Sequence, residues 1–322
     1  MTPAPSPASE GMPEPGLAIG LSAVIVAVTG DDPKVLAIRH ANGREGLPSG
    51  PLERGHRTLE IGLRSWVERQ TLQELGYVEQ LYTFGDRDRG EDGARALSLA
   101  YLALVREARP AGDADAAWES WYRYFPWEDW RDGRPALLDA LIPGLRAWAA
   151  SATNPRMAET RVERVTLCFG GDSGWNEERV LERYELLYEA GLVAEALRER
   201  GSDRVAPGSS GAEMREDHRR MLALAIARLR GKIKYRPVVF ELMPPSFTLL
   251  QLQRTVEALS GVRLHKQNFR RLIEQQRLVE ETGETTAETG GRPARLVRFR
   301  REVLIERPAP GVRLPGGHGR RG

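Results

Sequence analysis

The chain has 322 residues and a formal net charge of only +2, so it is long enough for two domains and carries little overall charge bias. Its single cysteine, Cys168, excludes an internal disulfide framework, and no apolar run approaches the roughly 20 residues that a bilayer requires. Residues 1–16 lack the basic start and apolar centre of a secretory signal. We therefore expect a disordered N-terminal tail, a cytoplasmic location and no membrane partner.

The residues that follow this tail predict an α/β domain. A Gly/Pro-rich loop at 42–55 precedes a helix that we expect Gly76 to cap at its C-terminus. The apolar face of this helix consists of Leu59, Leu63, Trp66, Val67, Thr71 and Leu75. The strands predicted from apolar and β-branched runs are 17–28, 34–40, 79–85 and 96–105.

Aromatic residues are concentrated between 109 and 135. Four of the seven tryptophans, Trp118, Trp121, Trp127 and Trp130, fall within 13 residues. One interpretation is a stacking wall for an adenine or nicotinamide ring. The other is an insertion that packs on the core or against a partner subunit, which the large buried area of Trp side chains favours.

The stretch from 137 to 230 predicts mostly helices. We expect helices at 137–149 and 177–200, the second broken at Gly191, and a strand at 162–169 that buries the Cys168 thiol. The residues of the second helix that could pack on a partner subunit include Val180, Tyr184, Leu187 and Tyr188.

A Gly/Ser-rich stretch at 201–211 predicts a linker between domains. The amphipathic helix that follows, 214–230, is placed where it could transmit a signal, although it could also be a plain connector. Its basic residues are Arg219, Arg220, Arg228 and Arg230.

Residues 247–299 have the plan of a winged helix-turn-helix. Thr248 is the expected N-cap of a first helix, Gly261 breaks the chain, and a second helix is expected to start near His265. The apolar side of this second helix consists of Phe269, Leu272 and Ile273. The wing is predicted from strand-like runs at 278–279 and 296–299 and the polar loop 283–293. In such a domain the second helix enters the major groove and the wing touches phosphate.

Charge is segregated along the chain. Residues 231–322 contain 18 Lys and Arg against 9 Asp and Glu, whereas the first 230 residues contain 29 against 36. An acidic body with a basic C-terminal part is typical of a nucleic-acid binder, although a basic helix face is often only solvated and a winged helix can also dock a protein. The candidate DNA-binding residues are Lys266, Gln267, Asn268, Arg270, Arg271, Arg292 and Arg295.

The run from Gly55 to Tyr77, GHRTLEIGLRSWVERQTLQELGY, resembles a degenerate Nudix box. In Nudix hydrolases the glutamates of the box hold divalent ions that neutralise a pyrophosphate and activate water. Here Ile61, Gln70 and Gln73 stand at three of the glutamate positions, and neutral Gln is a poor ligand for hard cations. Because Glu74 remains almost alone, we expect no metal site and no catalytic residues.

The combination of this box, the motif QLYTFG at 80–85, the segment RLRGKIKYRPVVFELMP at 228–244 and the winged helix resembles the Nudix-related transcriptional regulators of NAD metabolism, most closely their alphaproteobacterial branch. The resemblance implies an α/β (α+β) Nudix-like sandwich domain followed by a winged helix-turn-helix, in a homodimer that binds double-stranded operator DNA. The domain boundaries that we predict are 1–16 for the tail, 17–200 for the effector domain, 201–213 for the linker, 214–305 for the connecting helix and winged helix, and 306–322 for a loose basic tail.

The same resemblance implies a nucleotide effector, such as NAD, ADP-ribose or ATP, and no required cofactor. The candidates for phosphate contact, because Arg can form bidentate bonds to phosphate oxygens, are Arg39, Arg44, Arg87 and Arg89. We expect a repressor of NAD biosynthesis and salvage genes whose dimer arrangement the effector shifts. The alternative function is an active Nudix hydrolase of NAD-related pyrophosphates.

Overall fold

A mixed β-sheet lies at the centre of the N-terminal part of the chain. The computed structural model describes residues 18–41, 43–85, 96–106, 115–170, 174–202, 210–287, 293–306 and 311–312. Within them the strands of this sheet are β1 (Ala18–Thr29), β2 (Asp32–Arg39), β3 (Glu45–Gly46), β4 (Ser49–Pro51), β5 (Tyr77–Phe84), β6 (Ala96–Leu104) and β7 (Ala116–Ser120). Their order is β3-β2-β1-β6-β5, with β4 added to β1 and β7 to β2. The four predicted strands are confirmed, whereas β3, β4 and β7 are too short or too polar to stand out in the sequence.

Both faces of the sheet are buried, because its central strand β1 has apolar residues at successive positions. Ala23 and Ile25 belong to one apolar cluster, while Val24 and Val26 belong to the other. Helix α1 (Leu59–Thr71) packs on the first face, and a later helix covers the second. This three-layer arrangement is the sandwich that the resemblance to Nudix-related regulators implies.

Helix α1 ends earlier than predicted, so Gly76 is not its C-cap. Leu72 has the left-handed conformation with φ of 52°, and its amide donates to the carbonyl of Glu68. The hydroxyl of Thr71 donates to the carbonyl of Val67 over 2.7 Å, which helps to close the last turn. Arg64 then donates to the carbonyls of Leu75 and Gly76. These bonds fold the chain back before the glycine is reached.

The segment between the sheet and the winged helix is helical. Its helices are α2 (Trp121–Tyr124), α3 (Leu138–Ala150), α4 (Pro155–Phe169), α5 (Val180–Glu189), α6 (Ala194–Glu199) and α7 (His218–Ile233). The strand predicted at 162–169 was wrong, because α4 includes these residues. Asn154 caps α4 by accepting the amide of Met157 over 2.8 Å, and Pro155 occupies its first turn. These helix-start signals prevail over the β-branched run, and Cys168 is buried as expected.

The break at Gly191 is confirmed, since this residue has φ of +69° between α5 and α6. The apolar face of α5 is, however, covered by other parts of the same chain. Val180, Tyr184 and Leu187 are buried in the core of this chain, where α5 packs against α7. The notion that they form a subunit interface was therefore wrong.

Helix α7 covers the second face of the sheet and also contacts the winged helix domain. Two of its predicted basic residues, Arg219 and Arg230, are fully buried rather than exposed. Ser210 and Met214, near the end of the predicted linker, are buried as well. The domain boundaries remain predictions, and these contacts show that α7 is part of the sandwich as well as a connection.

The winged helix plan is confirmed. Its elements are α8 (Leu249–Ser260), α9 (Lys266–Gln276), β8 (Val279–Thr286) and β9 (Ala294–Phe299), followed by α10 (Val303–Glu306). Thr248 and Gln251 form a capping box at the start of α8, Gly261 ends it with φ of 76°, and His265 is the N-cap of α9. After α10 the chain returns to α7, where the buried Val312 donates its amide to the carbonyl of Ile233 over 2.8 Å. At Val312 the tail is therefore packed rather than loose.

The tryptophan-rich segment packs inside the protein. Trp121 and Trp127 are fully buried in the same apolar cluster as α5, α7 and α8. This confirms the packing interpretation for these two residues, although the segment begins with β7 and is thus part of the sheet as well. Within the described residues, none of the helices has the length and apolar character needed to cross a membrane.

Two glycines with similar positive φ angles, Gly261 and Gly283, test how closely the end of α8 packs against the segment that contains Glu128. A methyl group on Gly261 would lie 2.4 Å from the carbonyl oxygen of Glu128, whereas one on Gly283, with φ of +84°, would meet nothing within 4 Å. We expect Gly283→Ala to cost only the left-handed penalty of roughly 1–2 kcal/mol. Gly261→Ala should cost about 1–3 kcal/mol more, because its methyl group would overpack the contact between the end of α8 and Glu128. Urea unfolding of both variants measures the difference, and equal losses would contradict this packing.

Candidate nucleic-acid interface and effector site

Helix α9 presents a polar, positively charged face to solvent. Phe269 and Ile273, four residues apart, are buried and hold the helix on its domain. The candidate residues on its outer side, all exposed, are Lys266, Gln267, Asn268, Arg270 and Arg271. Within the described residues, the side chains of Lys266, Gln267 and Arg270 form no hydrogen bond or ion pair. Their donors are therefore available to base edges or phosphates.

The arginines of the wing are exposed but paired with carboxylates. Arg298 and Glu280 are cross-strand neighbours whose side chains lie 2.6 Å apart, and Arg295 pairs with Glu281 at 2.7 Å. Arg292 lies outside the described residues. These pairs arise from the alignment of β8 with β9, which the spacing along the chain does not indicate. Exposed pairs contribute only about 0–1 kcal/mol, so a phosphate can replace the carboxylates.

Two of the four candidate effector arginines lie together at one end of the sheet. Arg39 ends β2 and Arg44 precedes β3, on either side of a turn that the amide of His40 closes by donating to the carbonyl of Arg44 over 2.9 Å. Both side chains are partly exposed, with carboxylates 3.7 Å from Arg39 and 4.0 Å from Arg44. Arg87 and Arg89 lie outside the described residues.

Two further arginines, Arg123 and Arg215, reach the same turn from distant parts of the chain. Nη1 of Arg215 is 3.3 Å from Nδ1 of His40, and Arg123 contacts the carboxylate of Glu45 at 2.5 Å. Burial and the charge of Arg215 hold the pKa of His40 below its ordinary value, which favours the neutral imidazole. Sequence reasoning missed both arginines, because nothing in the chain order indicates that they approach the turn.

Glu45 connects this turn to the helical part of the protein. Burial tends to raise the pKa of Glu45, but hydrogen bonds from Tyr124 and Arg123 outweigh it and hold the pKa below its ordinary value. The carbonyl of Glu45 also accepts the amide of Arg215 over 2.9 Å, just before α7. Glu45 therefore joins β3 both to Tyr124 of α2 and to the residues that lead into α7.

Gln70 of the degenerate Nudix box has a structural role on α1. Its Oε1 accepts the amide of Ser49 over 3.2 Å, and its Nε2 donates to the carbonyl of Ser49 over 3.0 Å. A carboxylate could not make the second bond, because it has no proton to donate. Gln73 is buried and Glu74 is exposed. Among the described residues, no group of three or more His, Cys, Asp or Glu is placed to hold a metal ion.

Comparison with known proteins agrees with this geometry. Residues 239–299 match the family described as the NrtR DNA-binding winged helix domain. Over 83 residues the chain is 43% identical to the protein named ADPR responsive transcriptional repressor NtrR of Acinetobacter baylyi. That match covers 26% of this chain and 33% of the relative, so the chain spans about a third of the length of the relative that it matches.

Two solved structures share the fold over most of the chain. NrtR of Shewanella oneidensis, solved in complex with a 27mer DNA, has a TM-score of 0.54 and 20% identity over 89% of this chain and 95% of that one. A MutT/nudix family protein from Enterococcus faecalis has a TM-score of 0.53 and 16% identity, with 90% of each chain covered. The expected Nudix-like domain followed by a winged helix is thereby confirmed, as is the resemblance to Nudix-related regulators. The alphaproteobacterial branch stays a prediction.

The role of Gln70 can be tested by replacing it with the residue that a Nudix box has there. Gln70→Glu should lower the free energy of unfolding by about 1–3 kcal/mol, because the carboxylate faces the carbonyl of Ser49 without a proton. Gln80→Glu is the matched control, since Gln80 only accepts a bond, from the hydroxyl of Tyr101. Thermal and urea unfolding at pH 7 measure both variants. A Gln70→Glu protein as stable as the control would contradict the assigned role.

Proposed function

We propose that this chain, in which a winged helix domain of the NrtR type follows a Nudix-like sandwich, is a DNA-binding repressor of NAD biosynthesis and salvage genes. The observation that carries the proposal is the exposed face of α9, whose Lys266, Gln267 and Arg270 side chains have no described partner. A basic, polar helix in this position suits the major groove. As the target is DNA, we place the protein in the cytoplasm.

The effector that we propose is ADP-ribose, with NAD and ATP as alternatives to be compared. The name of the Acinetobacter baylyi relative supports this choice, since it describes an ADPR responsive repressor. The diphosphate would contact Arg39 and Arg44, together with Arg123, Arg215 and the two candidates predicted from the sequence alone, Arg87 and Arg89. Guanidinium groups in such a cluster suit phosphate oxygens, which accept two parallel hydrogen bonds from one Arg.

The protein would act as a homodimer, in which each α9 reads one half-site. The effector would bind better to one dimer arrangement and so change the spacing of the two recognition helices. The Nudix-like domain would bind its ligand without hydrolysing it, because Gln70 and Gln73 replace two carboxylates of the box. The alternative, a Nudix hydrolase, is favoured only by the fold shared with the Enterococcus faecalis protein. Release of AMP or ribose phosphate in the presence of Mg²⁺ or Mn²⁺ would support it.

A substitution on α9 tests the DNA-reading role. Arg271→Ala should weaken binding to promoter DNA of the organism's own NAD synthesis genes by about 1–3 kcal/mol, and binding to scrambled DNA much less. The control for the lost positive charge is Arg156→Ala. Arg156 is an exposed residue of α4 and is distant in sequence from the winged helix. Fluorescence anisotropy at fixed salt measures both. Equal losses on promoter and scrambled DNA would exclude base reading by Arg271.

Substitutions at the turn after β2 test the effector site. Arg39→Ala and Arg44→Ala should each weaken ADP-ribose binding by roughly 1.5–3 kcal/mol, the usual contribution of a hydrogen bond to a charged group. Isothermal titration calorimetry with ADP-ribose, NAD and ATP measures the affinities, again with Arg156→Ala as control. Unchanged binding in both variants would show that the effector does not bind at this turn. If promoter DNA is bound specifically but no nucleotide alters that binding, the Nudix-like domain is not the sensor.

A further inference from the structure

A buried arginine of α7, Arg230, joins the Nudix-like domain to the first helix of the winged helix domain. Its side chain is fully buried. Nε donates to the carbonyl of Leu259 in α8 over 2.8 Å, while Nη1 donates to the carboxylate of Glu128 over 2.7 Å and to the carbonyl of Glu177 over 3.0 Å. One guanidinium therefore contacts three separate parts of the chain.

The carboxylate of Glu128 is shared between two arginines. Arg183 of α5 contacts it through Nε at 2.6 Å and Nη2 at 2.8 Å, and also donates to the carbonyls of Cys168 and Asn176. Both guanidinium groups and the carboxylate are buried. Removal of either arginine thus leaves one balanced ion pair, whereas removal of Glu128 would leave two buried cations without a counter-charge.

The contacts of Arg230 are directed at the C-terminal end of α8. The last carbonyls of a helix have no partner within the helix and carry a partial negative charge. Here Arg230 binds the carbonyl of Leu259, the hydroxyl of Tyr122 donates to that of Ala258 over 2.7 Å, and the amide of Trp130 donates to that of Gly261 over 2.7 Å. Residues 121–130, which follow β7 and are called the capping segment below, therefore satisfy the C-terminal carbonyls of α8, the helix that precedes α9.

The same segment leads back to the candidate effector turn. Strand β7 pairs with β2 along its length, and the amide of Arg39 donates to the carbonyl of Asp115 over 2.8 Å. Glu128 follows β7 by only a few residues. The pairing of β7 with β2 thus connects the sheet to the capping segment, and the buried pair of Glu128 and Arg230 connects that segment to α8. Neither connection involves the predicted linker.

We propose that Arg230 is the positioning residue that fixes the orientation of the winged helix domain on the Nudix-like sheet. The two domains of one subunit then move as a single body, and an effector can change the spacing of two recognition helices only by moving whole subunits. This inference rests on the proposed function for its consequence at DNA, but the fixed orientation itself is a property of the chain without DNA.

The test compares Arg230→Met with Arg183→Met. Both variants remove one buried guanidinium and leave one Arg–Glu pair, but only Arg230→Met removes a bond to α8. We expect Arg230→Met to bind promoter DNA with both half-sites about tenfold more weakly, because two binding modules gain affinity from a fixed geometry. Its binding to a single half-site should stay within twofold of the wild type. Arg183→Met should stay within twofold on both DNAs.

Hydrogen exchange without DNA gives a second, independent measurement. The amide of Trp130 and the last turn of α8 should exchange at least tenfold faster in Arg230→Met than in Arg183→Met. Equal exchange in the two variants would overturn the proposal. If Arg230→Met does not fold, Tyr122→Phe, which removes only a hydroxyl at the same helix end, must show the same direction of change or the proposal fails. Wild-type protein without promoter preference would contradict the proposed function, while the exchange result would still decide the role of Arg230.

Discussion

The arrangement of the two domains depends on a carboxylate, that of Glu128, which is buried and must be neutralised inside the protein. An uncompensated charge in such a place is strongly unfavourable, and both Arg183 and Arg230 contact this carboxylate. They come from α5 and α7, and Arg230 continues to the end of α8. Through Arg230, the buried carboxylate of Glu128 is therefore linked to the end of α8.

In the Nudix-like domain, Gln70 contributes to the packing of α1 against the sheet. In a Nudix box a carboxylate at the position of Gln70 would hold a hard cation. Here the amide instead pairs with both backbone groups of Ser49 and ties α1 to β4. The arginines around Glu45 leave the same domain with features that suit an anionic ligand.

Charge is distributed differently in space than along the chain. The excess of basic residues in the C-terminal part points to DNA, yet the wing arginines Arg295 and Arg298 face glutamates on the neighbouring strand. On α9, by contrast, the side chains of Lys266, Gln267 and Arg270 have no hydrogen-bond or ion-pair partner among the described residues. Net charge thus indicates the kind of ligand, whereas the paired and unpaired groups indicate where that ligand can bind.

The sequence alone determined the features that depend on local chemistry. Thr248, Gly261 and His265 set the ends of the winged helix elements because capping and left-handed glycine act within one turn, and the spacing of Phe269 and Ile273 fixed which side of α9 is exposed. The same reasoning failed at Gly76 and at 162–169, where competing local bonds ended α1 early and an Asn-Pro cap started α4. Only the tertiary structure decided that Arg123 reaches Glu45 and Arg215 reaches His40, and that Arg230 shares Glu128 with Arg183. These contacts join residues far apart in the chain, and neither spacing nor composition records which distant elements will meet.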